Sequence, residues 1–100
     1  MKKVIIANVT AKSGCEETLV AKANELVKAT REEIGCITYE FLRDTENPQK
    51  FRFVEVWSSQ ASVDAHFHTP HFQAFLNQSG GLIAEPNMIM LYDIAAERSI

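Results

Sequence analysis

Between Lys3 and Ala11 the side chains alternate, with Ile5, Ala7 and Val9 on one face and Val4, Ile6, Asn8 and Thr10 on the other. This predicts a strand with both faces largely covered. Asn8 is the polar exception and needs a hydrogen-bonding partner or a ligand. The period then lengthens. Leu19, Ala23, Leu26 and Thr30, with Val20 and Val27 beside them, form an apolar helical stripe, while Glu17, Lys22, Glu25, Lys28 and Glu32 fall on the solvent side. Ser13-Gly14-Cys15-Glu16 matches a capping box, which predicts a helix start at Ser13, and Gly35 supplies a left-handed close.

Cys36 to Arg43 alternates again, with Ile37, Tyr39 and Phe41 on one face. Turn residues fill Asp44-Thr45-Glu46-Asn47-Pro48, and a third strand follows from Lys50 to Trp57, antiparallel to the second because the connection is short. Phe51, Phe53, Glu55 and Trp57 share one face of it. Ser58 or Ser59 caps the next helix, which carries Ala61, Val63, Ala65 and His66 until Thr69-Pro70 interrupts it. Thr69 as cap and Pro70 at the first helical position restart a helix through His71, Phe72, Phe75 and Leu76, ended by Ser79-Gly80-Gly81. Met88 to Ile94 is the fourth strand. The order β-α-β-β-α-β predicts one α+β domain over residues 1–100: a ferredoxin-like, four-stranded antiparallel sheet with its helices on one face. The other face is left apolar and unclaimed, so a homodimer packed sheet to sheet, a dimeric α+β barrel, is expected.

Composition narrows the function. At 46% hydrophobic and 23% charged residues, a chain of 100 residues has more apolar material than one small two-layer fold hides, which favours association with a second copy. The net charge of −3, with Lys and Arg scattered, excludes a nucleic-acid footprint. No apolar run approaches the roughly 20 residues of a membrane helix, and the stretch after Met1 is too short for a signal peptide, so a cytoplasmic protein that does not enter membranes is expected. Cys15 and Cys36 form neither a CxxC pair nor a disulfide framework.

The chemistry concentrates between Glu55 and Phe75, which holds all three histidines, His66, His68 and His71. A carboxylate placed between Phe53 and Trp57 should have a raised pKa unless it is paired, which suits Glu55 for acid–base work or for holding a histidine. His66 would sit across from Glu55 and Trp57, one wall of a pocket between helices and sheet, where an imidazole suits proton abstraction from a phenol or hydroxyketone. A metal site is disfavoured: residues two apart on a helix diverge, Pro70 breaks the run, and no further carboxylate is suitably spaced. There is no GxGxxG, P-loop or nucleophile elbow.

The chain resembles the antibiotic biosynthesis monooxygenase domain, especially its small quinol-monooxygenase-like members. The likeness rests on Glu55-Val56-Trp57, Ala61-Ser62-Val63-Asp64-Ala65-His66, Thr69-Pro70-His71-Phe72 with Phe75, and Gly35-Cys36-Ile37-Thr38-Tyr39-Glu40, and it covers nearly the whole chain. It implies a ferredoxin-like homodimer that oxygenates quinols or polyphenols with O2 and no metal, flavin or haem. On that reading His66 is the base, Glu55 orients or charges it, His71 assists, and Tyr39, Phe53, Trp57, Phe72 and Phe75 hold the aromatic substrate, with Asn8 a donor to a substrate oxygen. The domain is also similar to an isomerase of a phosphorylated autoinducer-2 derivative, which implies a hydroxyketone substrate and proton shuttling. A non-catalytic small-ligand-binding dimer is the third reading.

Overall fold

The computed structural model describes residues 1–100. In chain order the elements are β1 (Lys3–Thr10), α1 (Glu16–Thr30), β2 (Cys36–Arg43), β3 (Lys50–Trp57), α2 (Gln60–Phe67), α3 (Pro70–Ser79) and β4 (Met88–Asp93), with a 3-10 turn at Gly80–Leu82. All strand pairings are antiparallel and the sheet order is β2-β3-β1-β4. This is the expected ferredoxin-like α+β unit, its second helical segment divided at Thr69-Pro70.

Directly paired residues of an antiparallel sheet point to the same face, so the register sorts every strand side chain. One row runs Leu91, Ile5, Glu55, Tyr39, and the next Ile89, Ala7, Phe53, Phe41. This is the helix-covered face. Ile5, Ala7, Val9, Tyr39, Phe51, Phe53 and Trp57 are buried on it together with Leu19, Ala23, Leu26, Val63 and Phe75 from the helices. Trp57 is fully buried, a contribution of about 2–3 kcal/mol. The opposite face carries Tyr92, Val4, Val56, Thr38 in one row and Met90, Ile6, Val54, Glu40 in the next. No helix covers that side, and β4 is exposed along its whole length.

Local chemistry explains most boundaries and revises three expectations. Ser59 caps α2 with a reciprocal Ser59–Ser62 capping box, and Thr69 caps α3 with Pro70 behind it, as the sequence predicts. α1 begins at Glu16 rather than Ser13. Gly14 takes φ +88°, which turns the chain after Ser13, and Cys15 becomes the cap with no side-chain bond of its own. At the other end α1 stops at Thr30, so Gly35, also at φ +88°, opens β2 instead of closing the helix. A Cβ on Gly35 would lie 2.5 Å from Ser62 Cβ, so the missing side chain lets α2 dock against the start of β2. Finally, a register shift between Cys36 and Thr38 turns Ile37 to solvent, away from Tyr39 and Phe41.

Candidate active site

The chain reversal between α2 and α3 places two imidazoles side by side. His66 lies in the last turn of α2 and His71 in the first turn of α3. Between them the Thr69 hydroxyl donates to the His66 carbonyl at 2.7 Å and accepts from the Phe72 N–H at 3.3 Å, which locks the corner. Facing them is Glu33, on the segment joining α1 to β2. Its N–H donates to the Thr30 carbonyl and its own carbonyl accepts from the Cys36 N–H, so the backbone is tied on both sides. The Glu33 Oε2 atom is 2.7 Å from His66 Nδ1 and 2.7 Å from His71 Nε2.

Rings enclose His66. Its centroid lies 4.9 Å from Trp57, 4.9 Å from Phe72 and 5.4 Å from Tyr39, and the residue is 1% exposed. An ionised carboxylate can only accept, so the bond to Glu33 puts the proton on Nδ1 and leaves the lone pair on Nε2. That Nε2 atom is buried with no hydrogen-bonding partner. Burial lowers the pKa of His66, while the bond to Glu33 and the charge of Glu33 oppose the shift. Burial thus favours the neutral imidazole, whose Nε2 has no partner.

Glu55 sits behind this cluster. Its Oε1 accepts from Trp57 Nε1 at 2.9 Å, and burial pushes its pKa up to about 7, with the Trp57 bond opposing and the Glu33 charge adding. Burial also raises Tyr39, helped by the charges of Glu55 and Glu33, so its phenol stays protonated. Cys36 is pushed up to about 11, chiefly by burial, which leaves an unreactive thiol.

The fold thus brings together His66, His71, Tyr39, Trp57 and Phe72 from the expected set. The carboxylate beside His66 is Glu33 rather than Glu55, whose bond goes to Trp57. Phe53 and Phe75 pack on each other at 5.7 Å, and Phe53 reaches Tyr39 at 5.6 Å, so they lie one step along the core. Asn8 points to the opposite sheet face, where it accepts from Arg52 Nε at 2.8 Å. His68 is exposed and bonds the Asp64 carbonyl. Glu55, Trp57 and His66 are all buried by their neighbours, and none of the three lines either of two cavities that open elsewhere. One of about 600 Å³ lies between the ends of β1, β2 and β3, with Asn8, Arg43, Lys50, Arg52 and Glu85 in its lining. The other, about 380 Å³, runs along β2 with Arg31, Cys36 and Tyr39 in its wall.

Glu33 escaped the sequence reading. It is 33 residues from His66 and 38 from His71, on an irregular segment with no periodicity to assign it a direction. The same residue supplies the carboxylate whose apparent lack counted against a metal site.

Sheet order and helix placement define a ferredoxin-like α+β protein with a partly buried histidine–carboxylate cluster at the helix–sheet junction. Residues 4–78 match the family described as antibiotic biosynthesis monooxygenase, and the chain belongs to that family. It is 35% identical over 97 residues to the uncharacterized protein sll1783 of Synechocystis, covering 97% of this chain and 66% of that one. The chain therefore spans just under two thirds of that relative. Among solved structures, protein SO0527 from Shewanella oneidensis is 30% identical with a TM-score of 0.85, over 91% of this chain and 88% of that one. Rv0793 from Mycobacterium tuberculosis, 22% identical with a TM-score of 0.92 over 99% and 100% of the two chains, shows the same fold. No helix of the structure is long and apolar enough to cross a membrane.

Proposed function

We propose that the protein is a cofactor-independent monooxygenase that oxidises a quinol or polyphenol with O2, using His66 Nε2 as the base. The observation that carries this reading is the placement of His66: Glu33 lies 2.7 Å from Nδ1, and Nε2 is left buried, unpartnered and surrounded by aromatic rings. Removal of a phenolic proton gives an electron-rich anion that can pass an electron to O2. In the overall reaction quinol and O2 give hydroxyquinone and water. The substrate supplies all four electrons, one oxygen atom enters the ring, and the other leaves as water. The protein then contributes a base, an aromatic site and exclusion of water. Because His66 is enclosed, a substrate ring enters by displacing the half-buried Phe67 and Phe72. Glu55, joined to Trp57, supports the wall behind it.

A homodimer through the open sheet face belongs to the same proposal. Val4, Ile6, Val54, Val56, Met90 and Tyr92 form a contiguous apolar patch there, of the kind that a second copy buries.

Oxygen uptake by metal-stripped protein over a panel of hydroquinones is the test. Uptake above the uncatalysed rate that is lost in His66→Ala supports the reading. Absence of uptake with every hydroquinone overturns it, and turnover of a phosphorylated hydroxyketone without O2 would assign isomerisation instead.

A further inference from the structure

The Glu33 carboxylate oxygen, His66 Nδ1 and His71 Nε2 all lie within 4.8 Å of one another, and they come from α2, α3 and the segment between α1 and β2. We propose that these three side chains form a binding site for one divalent first-row transition ion, of the two-histidine, one-carboxylate type.

The donor set selects the ion class. Two imidazole nitrogens and one carboxylate suit zinc or iron(II), whereas calcium and magnesium seek oxygen ligands throughout. The two distances to Glu33 are close to those required. With metal–ligand bonds of about 2.0–2.2 Å, neighbouring ligand atoms sit about 3.0–3.5 Å apart. Each 2.7 Å contact to Glu33 therefore needs to lengthen by a few tenths of an ångström, within the reach of side-chain rotation.

The ligands are also held before any ion arrives. The Thr69 bonds fix the spacing of His66 and His71 across the Pro70 corner. The Glu33 backbone is bonded to Thr30 and Cys36. Little side-chain freedom remains to be lost on binding. His71 and Glu33 keep 26% and 12% of their side-chain surface exposed, which gives the ion a way in and leaves room for water as a further ligand.

Occupancy would compete with the proposed reaction. An ion on His66 Nδ1 moves the imidazole proton to Nε2 and removes the lone pair that the oxygenase reading uses. This inhibitory consequence rests on that reading, whereas binding itself does not.

The experiment titrates chelator-treated protein with Co2+, read by its visible ligand-field bands, and with Zn2+, read by calorimetry. The expected result is one ion per chain at micromolar concentration, with affinity at least about tenfold weaker in Glu33→Gln and in His71→Ala. Circular dichroism of each variant checks that it remains folded, and His71, being partly exposed, is the safer change. No saturable binding up to millimolar ion, or binding unchanged in both folded variants, overturns the site while leaving the oxygenase proposal standing. Conversely, metal-stripped protein that consumes no oxygen until Fe2+ is restored overturns the cofactor-independent reading and supports the site.

Discussion

Glu33 and His66, 33 residues apart in sequence, meet at 2.7 Å through Oε2 and Nδ1, and this contact sets which imidazole nitrogen carries the proton. A neutral amide in place of the carboxylate can donate as well as accept, so it no longer enforces the tautomer. Glu33→Gln should lower hydroquinone-dependent oxygen uptake about a hundredfold, the scale of a lost general base. It should cost roughly 2 kcal/mol of stability through the loss of charge-assisted bonds to both histidines. Oxygen-electrode rates and denaturant unfolding check the two effects.

Glu55 makes stability depend on pH. Its folded pKa of about 7 lies above the ordinary 4.5, so the fold binds this proton more tightly than the unfolded chain does. The contribution is fully present below the unfolded pKa and is lost as pH rises through the folded one, by roughly 3 kcal/mol in all. Urea unfolding across this window should show wild-type stability falling relative to Glu55→Gln as pH rises. Trp57→Phe removes the donor that opposes the shift, so the loss should extend to higher pH.

The two left-handed glycines should respond differently to alanine. Both Gly14 and Gly35 have φ +88°, but a Cβ on Gly14 meets nothing within 4 Å, whereas one on Gly35 meets Ser62 Cβ at 2.5 Å. Gly14→Ala should cost about 1 kcal/mol from backbone strain alone. Gly35→Ala adds a steric overlap and should cost about 3 kcal/mol. Thermal melts of the pair separate the two causes.

A charge on the open sheet face tests the proposed dimer. Ile6 and Val54 are directly paired there, each half-buried in the single chain. Ile6→Glu should convert a dimeric species into one of 11.2 kDa in sedimentation, with the secondary structure retained. A wild-type protein that sediments only as that smaller species at micromolar concentration contradicts the dimer.

Sequence periodicity and local chemistry determined the strands, the split of the second helical segment at Thr69-Pro70, and the face shared by Phe51, Phe53, Glu55 and Trp57. These features depend on residues within a few positions of one another, where a twofold or 3.6-residue repeat leaves a visible pattern. They also sufficed to place His66 against Trp57. Tertiary structure decided the rest. It sent Asn8 to the opposite face, bonded Glu55 to Trp57, and brought Glu33 from an aperiodic segment onto both histidines. The partner of a buried polar group is chosen by whichever donor or acceptor the packed chain delivers within about 3 Å. When that partner lies on an irregular segment dozens of residues away, only the folded geometry reveals it.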